Sequence, residues 1–209
     1  PCRPKCSAVS EPTKPPEPVT KIVFIESPLC HGTRKTSRPD FPKPPARPRL
    51  AGMERLLDQL AAALLARQQT LATAESCTGG LVGAALTNLP GSSAWYLGGV
   101  VAYANDLKIR LLGVPAETLA AHGAVSLETA RAMAQGARAA AAADFAVSIT
   151  GIAGPAGGTP EKPVGLVFVG VAAPHGTATF KHHFSGSRAD IRQAATEAAL
   201  RHLLEAVAS

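Results

Sequence analysis

From residue 53 onward the chain alternates two kinds of apolar spacing. Leu56, Leu57, Leu60, Ala63 and Leu64 fall at three- and four-residue intervals, so Glu54–Gln68 reads as a helix with one buried face. A short strand, Thr70–Ala74, follows. A second helix runs through Leu81–Leu89 and stops at the breaker pair Pro90-Gly91. Tyr96–Ala104 contains the run Gly99-Val100-Val101-Ala102-Tyr103, a buried strand, and Asp106–Leu112 is a short helix closed by Gly113. Leu119–Val125 lacks periodicity and reads as a loop. Ser126 then offers an N-cap and Glu128 an acid in the first turn of an Ala-rich helix reaching Ala143, a composition suited to close packing on a sheet. Phe145–Thr150 is a strand, Gly165–Ala173 and Thr177–Phe184 form a hairpin across Pro174-His175-Gly176, and Asp190–Ala208 is a terminal helix. Strands alternating with helices, with one antiparallel pair, predict an α/β domain: a three-layer α/β/α sandwich around a mixed, mostly parallel sheet.

Composition divides the chain in two. Residues 1–52 hold 12 of the 18 prolines and ten Lys/Arg against four acids, a surplus equal to the whole net charge of +6. Residues 53–209 are formally neutral, so the basic character gives the domain no basic face and argues against nucleic-acid binding. The extension is too poor in apolar surface to offset its ordering entropy and is expected to be disordered. Its longest apolar run, Ile22–Ile25, is too short for a secretory signal, and no run is long enough for a membrane span. Met53, directly before the first helix, is an equally good candidate for the true start; mass spectrometry of the native N-terminus distinguishes the two readings. Cys2, Cys6 and Cys30 lie in the extension and Cys77 alone in the domain, which excludes a disulfide within the domain and points to a cytoplasmic location.

The candidate chemistry centres on Thr73-Ala74-Glu75-Ser76-Cys77-Thr78-Gly79-Gly80, which places Ser76 at a strand-to-helix turn. Unpaired N–H groups at a helix start would meet an oxyanion formed there, yet a serine in this place is most often just an N-cap. A nucleophilic serine needs a base. None of His122, His175, His182, His183 and His202 sits in a triad-like motif; Lys108, if desolvated, can serve, with Tyr103 to relay the proton or orient the amine. An exposed helix lysine and a strand-end tyrosine are the plain alternatives. Open α/β sheets bind ligands beyond the C-terminal ends of their strands, where the turns after Ala74, Ala104 and Thr150 would gather. The acids are scattered, so no metal or cofactor is expected.

These segments carry a resemblance. Thr73–Gly80, Pro90–Tyr96, Gly98–Asn105 with Lys108, Leu111–Val114, His122–Ser126 and Thr150–Pro155 resemble, in order, the CinA C-terminal domain family, also known as PncC. The resemblance implies a nicotinamide-nucleotide amidohydrolase that converts nicotinamide mononucleotide and water to nicotinate mononucleotide and ammonia in pyridine-nucleotide salvage. It implies Ser76 as nucleophile, Lys108 as general base and Tyr103 as their partner, with the oxyanion held near Cys77, Thr78 and Gly79 and with Thr150 and Gly151 lining the site. Arg188 and Arg192, around the start of the last helix, suit the phosphate of a small nucleotide substrate. The family also implies a homodimer. A catalytically silent nucleotide-binding or competence-linked regulatory module of the same fold is the alternative, and the full set of Ser76, Tyr103 and Lys108 speaks against it.

Overall fold

In chain order the elements are helix α1 (Leu50–Ala66), strand β1 (Leu71–Glu75), helix α2 (Leu81–Thr87), strand β2 (Tyr96–Val101), helices α3 (Asn105–Leu112), α4 (Ala116–His122) and α5 (Leu127–Ala141), strands β3 (Phe145–Gly151), β4 (Leu166–Ala173) and β5 (Gly176–His183), and helix α6 (Arg188–Ala208). The computed structural model describes residues 50–209. The expectations for the Pro-rich extension, with Cys2, Cys6 and Cys30, lie outside the described residues.

The strands form one sheet in the order β2-β1-β3-β4-β5. β1 pairs in parallel with β2 and β3, while β4 is antiparallel to both β3 and β5. Only β4 therefore runs against the others, which is the mixed sheet expected from the sequence. Burial explains the central strands: every residue of β1 is buried, and β3 is buried from Phe145 to Thr150. Such strands must be covered on both faces.

The two covering layers differ in chemistry. On one face Leu57, Leu60 and Leu64 of α1 and Leu200, Leu203 and Val207 of α6 pack with Leu71, Val147, Ile149 and Val169 of the sheet. On the other, α5 places Met133 and Ala137 against Ala72, Ala74 and Ala146, with Leu112 and Val114 beside them. Small residues on both sides of that seam let backbones approach closely. Gly136, in the middle of α5, is the extreme case: a Cβ there would lie 1.7 Å from the Leu112 carbonyl oxygen at the end of α3.

Local signals placed most boundaries. Ser126 caps α5, its hydroxyl accepting from the Thr129 N–H at 3.1 Å. Ser187 caps α6 in a reciprocal box with Asp190, so that helix begins two residues earlier than its apolar pattern suggested. The expected loop at Leu119–Val125 is a correction: most of it belongs to α4, a two-turn helix that follows Pro115 and buries none of its residues. Only Leu119 of α4 packs, partly buried, against the alanine-rich core, and one contact leaves no apolar period to read.

Helix propensity alone would have Gly136→Ala raise stability by about 1 kcal/mol. The contact with Leu112 reverses the sign: the variant is expected to lose about 1–3 kcal/mol in a denaturant melt. Equal or greater stability would show that α3 and α5 do not approach so closely.

Candidate active site

Ser76 directly follows β1, and its N–H donates to the Ile149 carbonyl of β3 at 2.9 Å. The residue is therefore tied to the sheet rather than to a helix. A tight turn separates it from α2, and the N–H groups of Gly80, Val82 and Gly83 all donate to the Glu75 carboxylate, at 2.8, 3.2 and 2.8 Å. This corrects both sequence readings of Ser76. It does not cap α2: the Glu75 carboxylate takes the Gly80, Val82 and Gly83 N–H groups, which are then not available to an oxyanion. The remaining candidates nearby are the Cys77 and Thr78 N–H groups, neither of which is taken by a protein oxygen among the described residues.

Lys108 lies on α3 and is 1 % exposed. Its Nζ donates to Ser76 Oγ at 3.1 Å, to the Ala102 carbonyl at 2.8 Å and to the Tyr103 carbonyl at 3.2 Å. Three acceptors match the three hydrogens of an ammonium. After loss of a proton, the two remaining N–H groups can keep the carbonyls while the lone pair accepts from the Ser76 hydroxyl. Both protonation states are thus satisfied by the same geometry. Burial lowers the Lys108 pKa from its usual 10.5, and the neighbouring Cys77 works in the opposite sense. Burial also pushes the Cys77 thiol up to about 11, so at neutral pH it is a protonated thiol beside Ser76 rather than a second nucleophile.

Ser76, Cys77, Tyr103, Lys108, Thr150, Gly151 and Arg188 line one cleft of about 210 Å³ beyond the ends of β1, β2 and β3. Their gathering at strand ends is what an open α/β sheet offers. Two larger grooves, of about 700 and 590 Å³, run along α5 and contain none of these groups. The Tyr103 ring is 60 % exposed at the cleft mouth, and its hydroxyl accepts from Arg188 Nη2 at 3.1 Å. Tyr103 therefore meets Lys108 through its carbonyl, not its phenol. Arg188 Nη1 also donates to the Gly154 carbonyl at 2.8 Å, which staples the loop after β3 to the same edge. The Thr150 hydroxyl donates to the Ala124 carbonyl at 2.6 Å, leaving it only acceptor capacity toward a ligand.

Arg192 and Thr78 take other places. Arg192 donates to the Cys77 and Thr78 carbonyls at 3.1 and 2.6 Å and does not line the cleft, nor does Thr78, whose buried hydroxyl has no partner among the described residues. Gly79 stands against the Arg192 guanidinium rather than in the cleft. The cleft adds Asn105, Ala124, Val125 and Ala153, to which the sequence assigned no role. Asn105 could have been read from its position one helical turn before Lys108; Ala124, Val125 and Ala153 carry no chemical signal. No histidine lines the cleft, and His182 and His202 meet each other at 2.9 Å between β5 and α6. Among the described residues no group of three or more His, Cys, Asp or Glu is placed to hold a metal, and no helix is long and apolar enough to cross a membrane.

Comparison with known proteins places the fold in a family. A CinA-like protein of Anaeromyxobacter dehalogenans is 55 % identical over 152 residues, which are 73 % of this chain and 37 % of the relative. A putative competence-damage inducible protein of Halothermothrix orenii is 52 % identical over 149 residues, 71 % of this chain and 36 % of the relative. The chain thus spans little more than a third of the length of the curated relatives it matches. Among solved structures, the competence/damage inducible protein CihA of Agrobacterium tumefaciens superposes with a TM-score of 0.73 at 43 % identity, covering 75 % of this chain and 96 % of that one. A CinA superfamily protein of Klebsiella pneumoniae superposes with a TM-score of 0.72 at 38 % identity, covering 75 % and 98 %. The CinA C-terminal domain matches residues 53–207, and the chain belongs to that family.

Proposed function

We propose that residues 53–209 form a serine amidohydrolase acting on the carboxamide of nicotinamide mononucleotide. The observation that carries this reading is the 3.1 Å contact between Ser76 Oγ and the Nζ of a lysine that is 1 % exposed. A binding module has no use for a desolvated amine held against a serine hydroxyl. The substrate comes from the family resemblance; the relatives' names speak of competence and damage induction.

Neutral Lys108 takes the Ser76 proton as Oγ attacks the carboxamide carbon. A C–O bond forms, the carbonyl pair moves to oxygen, and the Cys77 N–H in the cleft wall, with the Thr78 N–H next to it in the turn, supplies the donors to stabilise it. Collapse of this tetrahedral species breaks the C–N bond, and the Lys108 ammonium returns its proton to the departing ammonia. Water then attacks the acyl-serine with Lys108 again as base, releasing the carboxylic acid and the free serine. Arg188, held at the mouth by Gly154 and Tyr103, presents a guanidinium to the nucleotide phosphate. The exposed Tyr103 ring beside it offers an apolar face to the substrate.

Ammonia release from nicotinamide mononucleotide is expected in the wild type. Ser76→Ala should lower kcat by about 10³-fold or more, and Lys108→Ala by about 10²–10⁴-fold. A wild type that leaves the mononucleotide intact would sink the substrate assignment; an undiminished Ser76→Ala would sink the mechanism. Arg188→Ala is expected to raise KM by about 10–100-fold, the worth of one hydrogen bond to a charged group, and much less for the dephosphorylated nucleoside.

The buried lysine also makes a pH prediction. Its folded-state pKa lies below the unfolded value of 10.5, so between the two the unfolded chain binds more protons and stability rises with pH. Thermal melts of wild type and Lys108→Met should show the wild type gaining on the variant as pH climbs toward 10.5, and activity should rise through the lowered pKa. A pH-independent difference in melting temperature would argue against a desolvated amine.

A further inference from the structure

The turn carrying Ser76 is gripped from two sides by charged side chains that stay out of the cleft. On one side the Glu75 carboxylate, itself 2 % exposed, collects the N–H groups of Gly80, Val82 and Gly83. On the other, Arg192 reaches from α6 to donate to two consecutive carbonyls, Cys77 through Nε and Thr78 through Nη2. Gly79 leaves room for the guanidinium: its φ is +60°, and a Cβ there would stand 3.3 Å from Nη2. Neither Glu75 nor Arg192 lines the cleft.

Hydrogen bonds to ionised groups are roughly twice as strong as neutral ones, so this turn is held more firmly than water or neutral partners would hold it. The carbonyl and N–H of a trans peptide point in opposite directions. Drawing the Cys77 carbonyl toward Arg192 therefore turns the Thr78 N–H away from it. The grip acts on backbone on both sides of the turn and leaves the Ser76 side chain free to meet Lys108.

The geometry points to Glu75 and Arg192 as positioning residues, a paired clamp on the backbone that aims Ser76 Oγ and the N–H groups after it, and not as ligands of the substrate. The inference rests on Ser76 being the nucleophile, and its test does not depend on which amide is hydrolysed. A fluorophosphonate probe reacts with an activated serine: the Oγ–P bond forms, the P–F bond breaks, fluoride leaves and the hydroxyl proton passes to Lys108. The labelled fraction at completion counts folded sites, whereas the rate reports their alignment. Arg192→Ala, Arg192→Lys and Glu75→Gln are expected to reach nearly one label per chain, with the rate in Arg192→Ala about 100-fold lower, as for a displacement near 1 Å. Added guanidinium ion in the low millimolar range should recover part of that rate in Arg192→Ala and leave the wild type unchanged. Arg201→Ala, on the exposed surface of α6 and paired with Glu197, serves as control and should label as the wild type does.

Two results would overturn the clamp while the wild type labels normally. One is a wild-type labelling rate in Arg192→Ala with only its KM for the phosphorylated substrate raised, which would make Arg192 a phosphate ligand. The other is a fall in labelled fraction at unchanged rate, which would make the clamp a matter of folding alone. An unlabelled wild type would instead overturn the serine-nucleophile reading, and the clamp with it.

Discussion

The removal of one lysine amine from water is the constraint on which the site depends. Lys108 Nζ can be buried only because three oxygens surround it: the Ser76 hydroxyl and the Ala102 and Tyr103 carbonyls. An unpaired ammonium in that place would be far too costly to bury. Each of the three acceptors belongs to a strand end, Ser76 after β1 and the two carbonyls after β2, so the parallel pairing of those strands is what brings them together. The same burial that makes the lysine expensive to fold lowers its proton affinity and suits it to act as a base.

The asymmetry of the two covering layers serves this arrangement. Large aliphatic side chains on the α1–α6 face supply most of the apolar burial. The opposite face is lined with alanine, which contributes less burial and lets α5 come close to the sheet. Through Gly136 that closeness extends to α3, one turn beyond Lys108, so the depth of the amine is set by backbone contact rather than by flexible side chains. The segment between α4 and α5 is fixed just as directly. The Gly123 carbonyl accepts from Ser126 and Thr129, and the Ala124 carbonyl from Thr150. One wall of the cleft is therefore continuous with the sheet.

Much of this is legible in the sequence. The helices with a buried face, the central strands, the hairpin and the Ser126 cap all left periodic or capping signals, because each depends on interactions within a few residues. α4 left none, having no fully buried residue and only Leu119 packed against the core. At the site, the family resemblance pointed to Ser76, Lys108, Thr150 and Gly151 and the chemistry of guanidinium to Arg188, and these do line one cleft. Several readings failed for a shared reason. Ser76 looked like a helix cap, the Tyr103 phenol like a partner of the amine, and Arg192 like a phosphate ligand, but each depends on which distant group occupies the next few ångströms.

Sequence by itself determined the layered α/β architecture and the set of chemically capable side chains, since periodicity, turn residues and motif order are properties of neighbouring positions. Tertiary structure alone decided what those side chains do to one another. It buried Lys108 and left Tyr103 open to solvent, though they lie five residues apart. It handed the start of α2 to Glu75, and it set Arg188 at the cleft mouth while turning Arg192, one helical turn further on, into the backbone behind the serine. Solvent exposure and hydrogen-bond partners come from distant chain segments, Arg192 lying 115 residues from the Cys77 carbonyl it holds, and no local pattern encodes the direction from which such a partner arrives.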